Sequence, residues 1–147
     1  MLESDRRVIE KACRELREMG YPCSVNVEEF IVYLKSPTYT EDSYRVEDII
    51  GNKYLLYHEL LEISFLKKMG YSIDYNIIRR AYPDTYKAHL EAIDIELEIA
   101  LRNRDYTWIS HRLRDLESYL DDPFLPRILV DRVRGIIHKY SGFVVKK

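Results

Sequence analysis

The sequence predicts an all-α domain: a helical bundle of about five helices, with room for one or two short strands across residues 24–34. Three observations predict it. Apolar residues recur at spacings of three and four along most of the chain, the period of a helix with one buried face. Helix-stopping residues interrupt that pattern at intervals, at Gly20, Gly70, Pro83 and Pro123. The connections between these stops are short, as in a bundle of antiparallel helices. A length of 147 residues suits one domain spanning 1–147. Hydrophobic residues make up 46%, enough for a continuous core.

The first helix is expected to open at Ser4 or Asp5, whose side chains can accept from the free N–H groups of the first turn. Val8, Ile9, Ala12, Leu16 and Met19 form its apolar stripe, and Gly20 ends it. From Ser24 to Ser36 the pattern is mixed. Val25 and Val27 alternate, and the run Phe30-Ile31-Val32-Tyr33-Leu34 favours a buried strand over a short helix. Residues 36–43 form a polar loop. A long helix follows from Val46 to Met69, stopped by Gly70. The strings Leu16-Arg17-Glu18-Met19-Gly20-Tyr21 and Leu66-Lys67-Lys68-Met69-Gly70-Tyr71 share one helix-stop chemistry. A short helix over Tyr75–Tyr82 precedes a third long one from Asp84 to Arg102. Asp105 caps a fourth, which runs to Leu120, and Pro126 sits in the first turn of a last helix ending near Tyr140.

Composition excludes several classes of function. A net charge of −2 is not that of a protein that wraps long nucleic acid. The longest apolar runs span only a few residues, and the first residues lack the apolar core of a signal peptide, so no membrane partner and a cytoplasmic location are expected. Cys13 lies inside the first helical pattern and Cys23 just beyond its end, so a bridge between them is geometrically conceivable, but in that compartment two free thiols are expected. Glutamine is absent and charged residues reach 33%, a composition that matches thermophile proteins.

The ionisable residues are informative where they fall on an apolar face, because a buried charge needs compensation and a solvated one does not. On the helix from Val46, Leu55, Phe65, Leu66 and Met69 share one face, while Lys53, Tyr57, Ser64, Lys67 and Lys68 mark the solvent side. His58, Glu59 and Glu62 fall with the leucines. His58 and Glu62 are four residues apart and can reach one point. On the third long helix, Tyr86, Leu90, Ile93, Leu97 and Leu101 lie on one side and Ala88, Ala92, Ile95 and Ile99 on the other, so it is expected between neighbours. Lys87, Glu91, Asp94, Glu98 and Arg102 form a mixed-charge strip between these faces, and His89 and Glu96 occupy a more enclosed one. His111 and His138 face away from the leucines and valines of their helices and are expected at the surface.

These placements suggest a divalent-metal site of His58, Glu62 and His89, with Glu96 a further candidate ligand and Glu59 the general base of a metal-dependent hydrolase. His58-Glu59-Leu60-Leu61-Glu62 resembles the His-Glu-x-x-His helix of zinc metallopeptidases over five residues, with Glu62 in place of the second histidine. The resemblance implies zinc rather than magnesium. Glu59-x-x-Glu62 and Glu91-x-x-Asp94 resemble the carboxylate pairs of the all-α nucleoside triphosphate pyrophosphatases, which would imply Mg²⁺. Arg132 to His138 resembles the Arg…His motif of small helical HEPN ribonucleases. A last reading is non-enzymatic: thirteen tyrosines supply interface surface for a partner or a homo-oligomer, with Tyr39, Tyr44, Tyr54, Tyr57 and Trp108 as candidates.

Overall fold

The computed structural model describes residues 2–38 and 45–145. Among these it contains eight α-helices, two short 3₁₀ segments and no strand. The all-α class expected from the sequence is the one adopted. Two compact units are distinguished, Met1–Ala92 and Ile93–Lys147.

In the first unit α1 (Glu3–Glu18) begins without a side-chain cap, with Leu2 at the cap position. Ser4 and Asp5 therefore lie inside the first turn rather than ahead of it; Glu3 and Asp5 there suit the positive end of the helix dipole. The helix buries Ile9, Ala12, Cys13 and Leu16, while Val8, expected in the same stripe, is exposed. Gly20 ends it in the left-handed region at φ 92°, with Tyr21 N–H donating to the Leu16 carbonyl and Gly20 N–H to that of Arg17. The second glycine string behaves identically: Gly70 has φ 102°, Tyr71 donates to Leu66 and Gly70 to Lys67. One six-residue solution to the problem of orphaned carbonyls has been used twice.

The strand expected within residues 24–34 is a helix, α2 (Val27–Lys35). Asn26 supplies the reason. Its side chain accepts from the Glu29 N–H, and the Glu29 carboxylate accepts from the Asn26 N–H, a reciprocal capping box that pairs two donors a strand would have to satisfy elsewhere. The cysteine expectation is also overturned. Cys13 and Cys23 form a disulfide joining the last turn but one of α1 to the segment ahead of α2. The helix end and the turn at Gly20 bring their Cα atoms to 5.5 Å, within bridging range.

The single helix expected over Val46–Met69 is two helices, α3 (Val46–Ile50) and α4 (Lys53–Lys68), parted at Gly51-Asn52, where the Asn52 side chain caps α4 by accepting from Leu55 N–H. Helices α1, α2 and α3 all pack on α4. Consequently α4 has no broad solvent side: Tyr57 and Ser64, assigned to solvent on polarity alone, are buried. The Tyr57 hydroxyl donates to Glu15, and Ser64 Oγ accepts from Ser24 N–H while donating to the Leu60 carbonyl. A short α5 (Ile77–Arg80) leads to α6 (Asp84–Arg102), the longest helix. The start of α6 is fastened by Tyr71 Oη donating to Asp84 at 2.7 Å and by Thr85 Oγ1 donating to the Ile78 carbonyl. These bonds set where His89 lies within this unit.

The second unit holds the latter part of α6, α7 (Tyr106–Tyr119) and α8 (Val130–Tyr140), with 3₁₀ turns at Arg127–Leu129 and Ser141–Phe143. Asp105 caps α7 as expected, accepting from Trp108 N–H. Pro126 sits just ahead of a 3₁₀ turn rather than in the first turn of α8. Leu97, Ile109, Leu113, Leu116, Val133 and Ile136 make the core. The faces of α6 are buried on both sides, as its two apolar stripes require. Tyr39 and Tyr44, and most of the expected polar loop, lie outside the described residues.

Candidate metal centre

His58 and Glu62 sit one turn apart on the most enclosed stretch of α4, and both are buried. His89, from the first half of α6, points its ring to the same place and is half-buried. Three donor atoms converge. His58 Nε2 lies 2.8 Å from Glu62 Oε2, His89 Nδ1 lies 3.1 Å from that oxygen, and the two nitrogens are 3.0 Å apart. The rings meet edge-on, with planes 74° apart. Tyr33, on α2, donates its hydroxyl to Glu62 Oε1, so the two carboxylate oxygens have different tasks: one is held by the phenol, the other faces both imidazoles.

Burial would raise the Glu62 pKa, but the hydrogen bonds and charges of His58 and His89 outweigh it and hold the carboxyl well below its usual range. The imidazoles are not equally well served. A ring nitrogen carries either one hydrogen or one lone pair, along a single direction. If both nitrogens are protonated, their hydrogens crowd to within about 2 Å while reaching for one oxygen. If one is bare, its lone pair faces the carboxylate's. One carboxylate oxygen can accept from both ring nitrogens, and the same three atoms lie close enough together to hold a cation. Among the described residues this is the group of histidine and carboxylate side chains placed to hold an ion.

The other candidates are placed elsewhere. Glu59 is half-buried, one residue along α4 from His58. Glu96 is fully buried, and its oxygens receive Arg112 Nε at 2.7 Å, Arg112 Nη2 at 2.9 Å and Trp108 Nε1 at 2.6 Å. It is thus held within the second unit as one half of a salt bridge. Asp94 accepts from Arg132 at 2.8 Å, Tyr140 at 2.8 Å and Lys139 at 3.0 Å. This arrangement occupies the aspartate that the pyrophosphatase resemblance needs and the arginine that the ribonuclease resemblance needs. His111 and His138 are exposed, as expected. Trp108 and Tyr57, offered as interface residues, are bonded internally to Glu96 and Glu15, and Tyr54 is half-buried.

Tyr33 was not visible as a site residue in the sequence, because it fell in a segment read as strand. The Asn26-x-x-Glu29 capping signature was the available signal: a helix from Val27 places Tyr33 with Val27 and Phe30 on a buried face. No family model matches the chain, no curated protein matches it, and no solved structure matches its fold. Among the described residues, no helix is long and apolar enough to cross a membrane.

Proposed function

We propose that this protein binds a divalent transition-metal ion through His58, Glu62 and His89 and uses it as a metal-dependent hydrolase or related metal-assisted enzyme. The observation that carries the proposal is the convergence of two imidazole nitrogens and one carboxylate oxygen on a single point. Two nitrogen donors favour zinc or iron over magnesium, which prefers an all-oxygen shell. Three protein donors leave positions for water or substrate, the feature that separates a catalytic site from a closed structural one. Glu59 is the proposed general base. That role rests on its place in the sequence, directly after His58 as in the His-Glu-x-x-His helix.

The cytoplasmic location belongs to the same proposal. The disulfide is compatible with it in a hyperthermophile, whose intracellular proteins often carry such bridges, and the glutamine-free composition points the same way.

Metal analysis of tag-free protein tests the site directly. Offered zinc, iron(II), cobalt(II) and magnesium in turn, the wild type is expected to retain about one transition-metal ion per chain after gel filtration and no magnesium. His58→Ala and Glu62→Gln are expected to retain none, and Glu59→Gln to retain it in full. Wild-type protein that stays metal-free after reconstitution overturns the proposal.

A further inference from the structure

The bridge between Cys13 and Cys23 has a charged neighbour that a purely structural cross-link does not need. Arg17, one turn beyond Cys13 on α1, donates from Nη1 to Cys13 Sγ at 3.3 Å and to the Cys23 carbonyl at 3.0 Å. The guanidinium thus meets one cysteine through its sulfur and the other through its backbone. A disulfide sulfur is neutral and a weak acceptor, so the contact adds little to the bridged form. Once the bridge opens, the same guanidinium faces a Cys13 thiolate, and the contact becomes an ion pair. A cation in this place favours the reduced pair over the bridged one. It also makes Cys13 the better leaving sulfur in exchange.

The chain on both sides of the bridge is anchored by bonds that do not involve sulfur. Between the cysteines, the Gly20 turn is held by Gly20 N–H donating to Arg17 and Tyr21 N–H to Leu16. Just past Cys23, Ser24 N–H donates to Ser64 Oγ at 3.2 Å, and the Ser24 carbonyl accepts from Lys67 Nζ at 2.6 Å, both partners lying on α4. Lys67 also pairs with Glu29 of α2 at 2.9 Å, and Asn26 caps that helix. Opening the bridge therefore leaves these elements tied to α4. Cys13 is 3% exposed and Cys23 5% exposed, which restricts exchange to slender thiols.

We propose that Cys13 and Cys23 are a reversible thiol–disulfide couple, opened by a dithiol reductant, with Arg17 as the positioning residue that holds charge on the Cys13 sulfur. A thiolate of the dithiol attacks Cys23 Sγ. The S–S bond breaks, its electron pair leaves on Cys13, and a mixed disulfide forms at Cys23. The second sulfur of the dithiol then displaces Cys23. The dithiol ends oxidised as a disulfide; of its two protons one returns to Cys23 and one goes to solvent, leaving Cys13 a thiolate beside Arg17. The opened state releases α1 from the segment that leads into α2. This couple does not depend on the metal-site reading.

The chain holds two cysteines, so every thiol counted comes from this pair. The full chain purified without reductant is expected to show no free thiol in denaturant. Under native conditions it is then equilibrated with mixtures of reduced and oxidised dithiothreitol at about pH 9, above the ordinary thiol pKa. Wild type is expected to pass reversibly to the two-thiol form while keeping its helical circular dichroism. Arg17→Met is expected to need a ratio of reduced to oxidised reagent roughly tenfold higher for half-conversion, a shift of about 30 mV. Arg17→Lys, which keeps a cation, is expected to stay within about threefold of wild type. Free thiols before any reductant is added overturn the inference. So does a bridge that opens only once urea has unfolded the chain, or a reduced chain that has lost its helicity. An Arg17→Met midpoint equal to wild type, or an Arg17→Lys midpoint equal to that of Arg17→Met, overturns it as well.

Discussion

The molecule buries two glutamates in helices and compensates them in opposite ways. Glu96, in the second unit, faces the fixed positive charge of Arg112 in a two-pronged grip, with the Trp108 indole as a third donor. Burial alone would lower the Arg112 pKa, but the Glu96 charge and hydrogen bonds reverse that and raise it. Glu62, in the first unit, faces two imidazoles that crowd each other and a phenol. The first arrangement is complete with protein atoms alone. The second brings together three donor atoms that could hold a cation. Burial of a charged group is thus no guide to function until its partners are counted: a guanidinium neutralises one glutamate, and two imidazoles and a phenol surround the other.

Three substitutional or solution tests separate the two cases, in decreasing order of effect. Arg112→Met leaves Glu96 buried without its counter-charge and is expected to lower stability by about 3 to 5 kcal/mol, with or without metal, in urea unfolding. By contrast Glu62→Gln leaves no unpaired charge and keeps an acceptor for its neighbours, so it is expected to cost the metal-free protein less than Arg112→Met does. Equal losses in the two variants would erase the distinction between them. Next, wild type at a free cobalt(II) concentration a hundred times the dissociation constant is expected to gain about 2.7 kcal/mol, and Glu62→Gln nothing. A gain in both would place the ion elsewhere.

The smallest effect concerns Asp94, a half-buried carboxylate of the closed kind. Burial raises its pKa, but bonds from Arg132, Tyr140 and Lys139 outweigh that and hold it below the usual value. A carboxyl whose folded pKa is depressed contributes stability above its unfolded value, near 4, and loses it as pH falls through the folded one. Asp94→Asn is therefore expected to cost about 1 kcal/mol at pH 7, and progressively less below pH 4, in urea midpoints compared across pH. A difference that does not narrow in acid would mean that Asp94 acts by shape rather than charge.

Much of this was legible in the sequence, and the failures share a cause. Helix ends with strong local chemistry were readable: Gly20, Gly70 and Asp105 act where their residue types say they should. So were His58, Glu62 and His89, because a polar residue on an apolar face stands out at a period of 3.6 residues. Tyr57 and Ser64 were misplaced because polarity was taken for exposure, although a hydroxyl is easily paired inside a bundle. Phe30 to Leu34 looked like strand because a run of five apolar residues has no period, and the decisive signal lay upstream at Asn26 and Glu29. The link between Glu96 and Arg112, sixteen residues on, needed the path of the chain between two helices, which no local pattern carries.

The all-round burial of α4 has one more consequence. A helix packed by α1, α2 and α3 cannot turn about its axis, so His58 and Glu62 keep their stations for as long as the unit stays folded. His89, at the rim, is the most exposed of the three, its side chain 28% exposed against 10% for Glu62 and 3% for His58. Solvent therefore reaches this cluster from the His89 side, and the two α4 side chains meet it only past that ring.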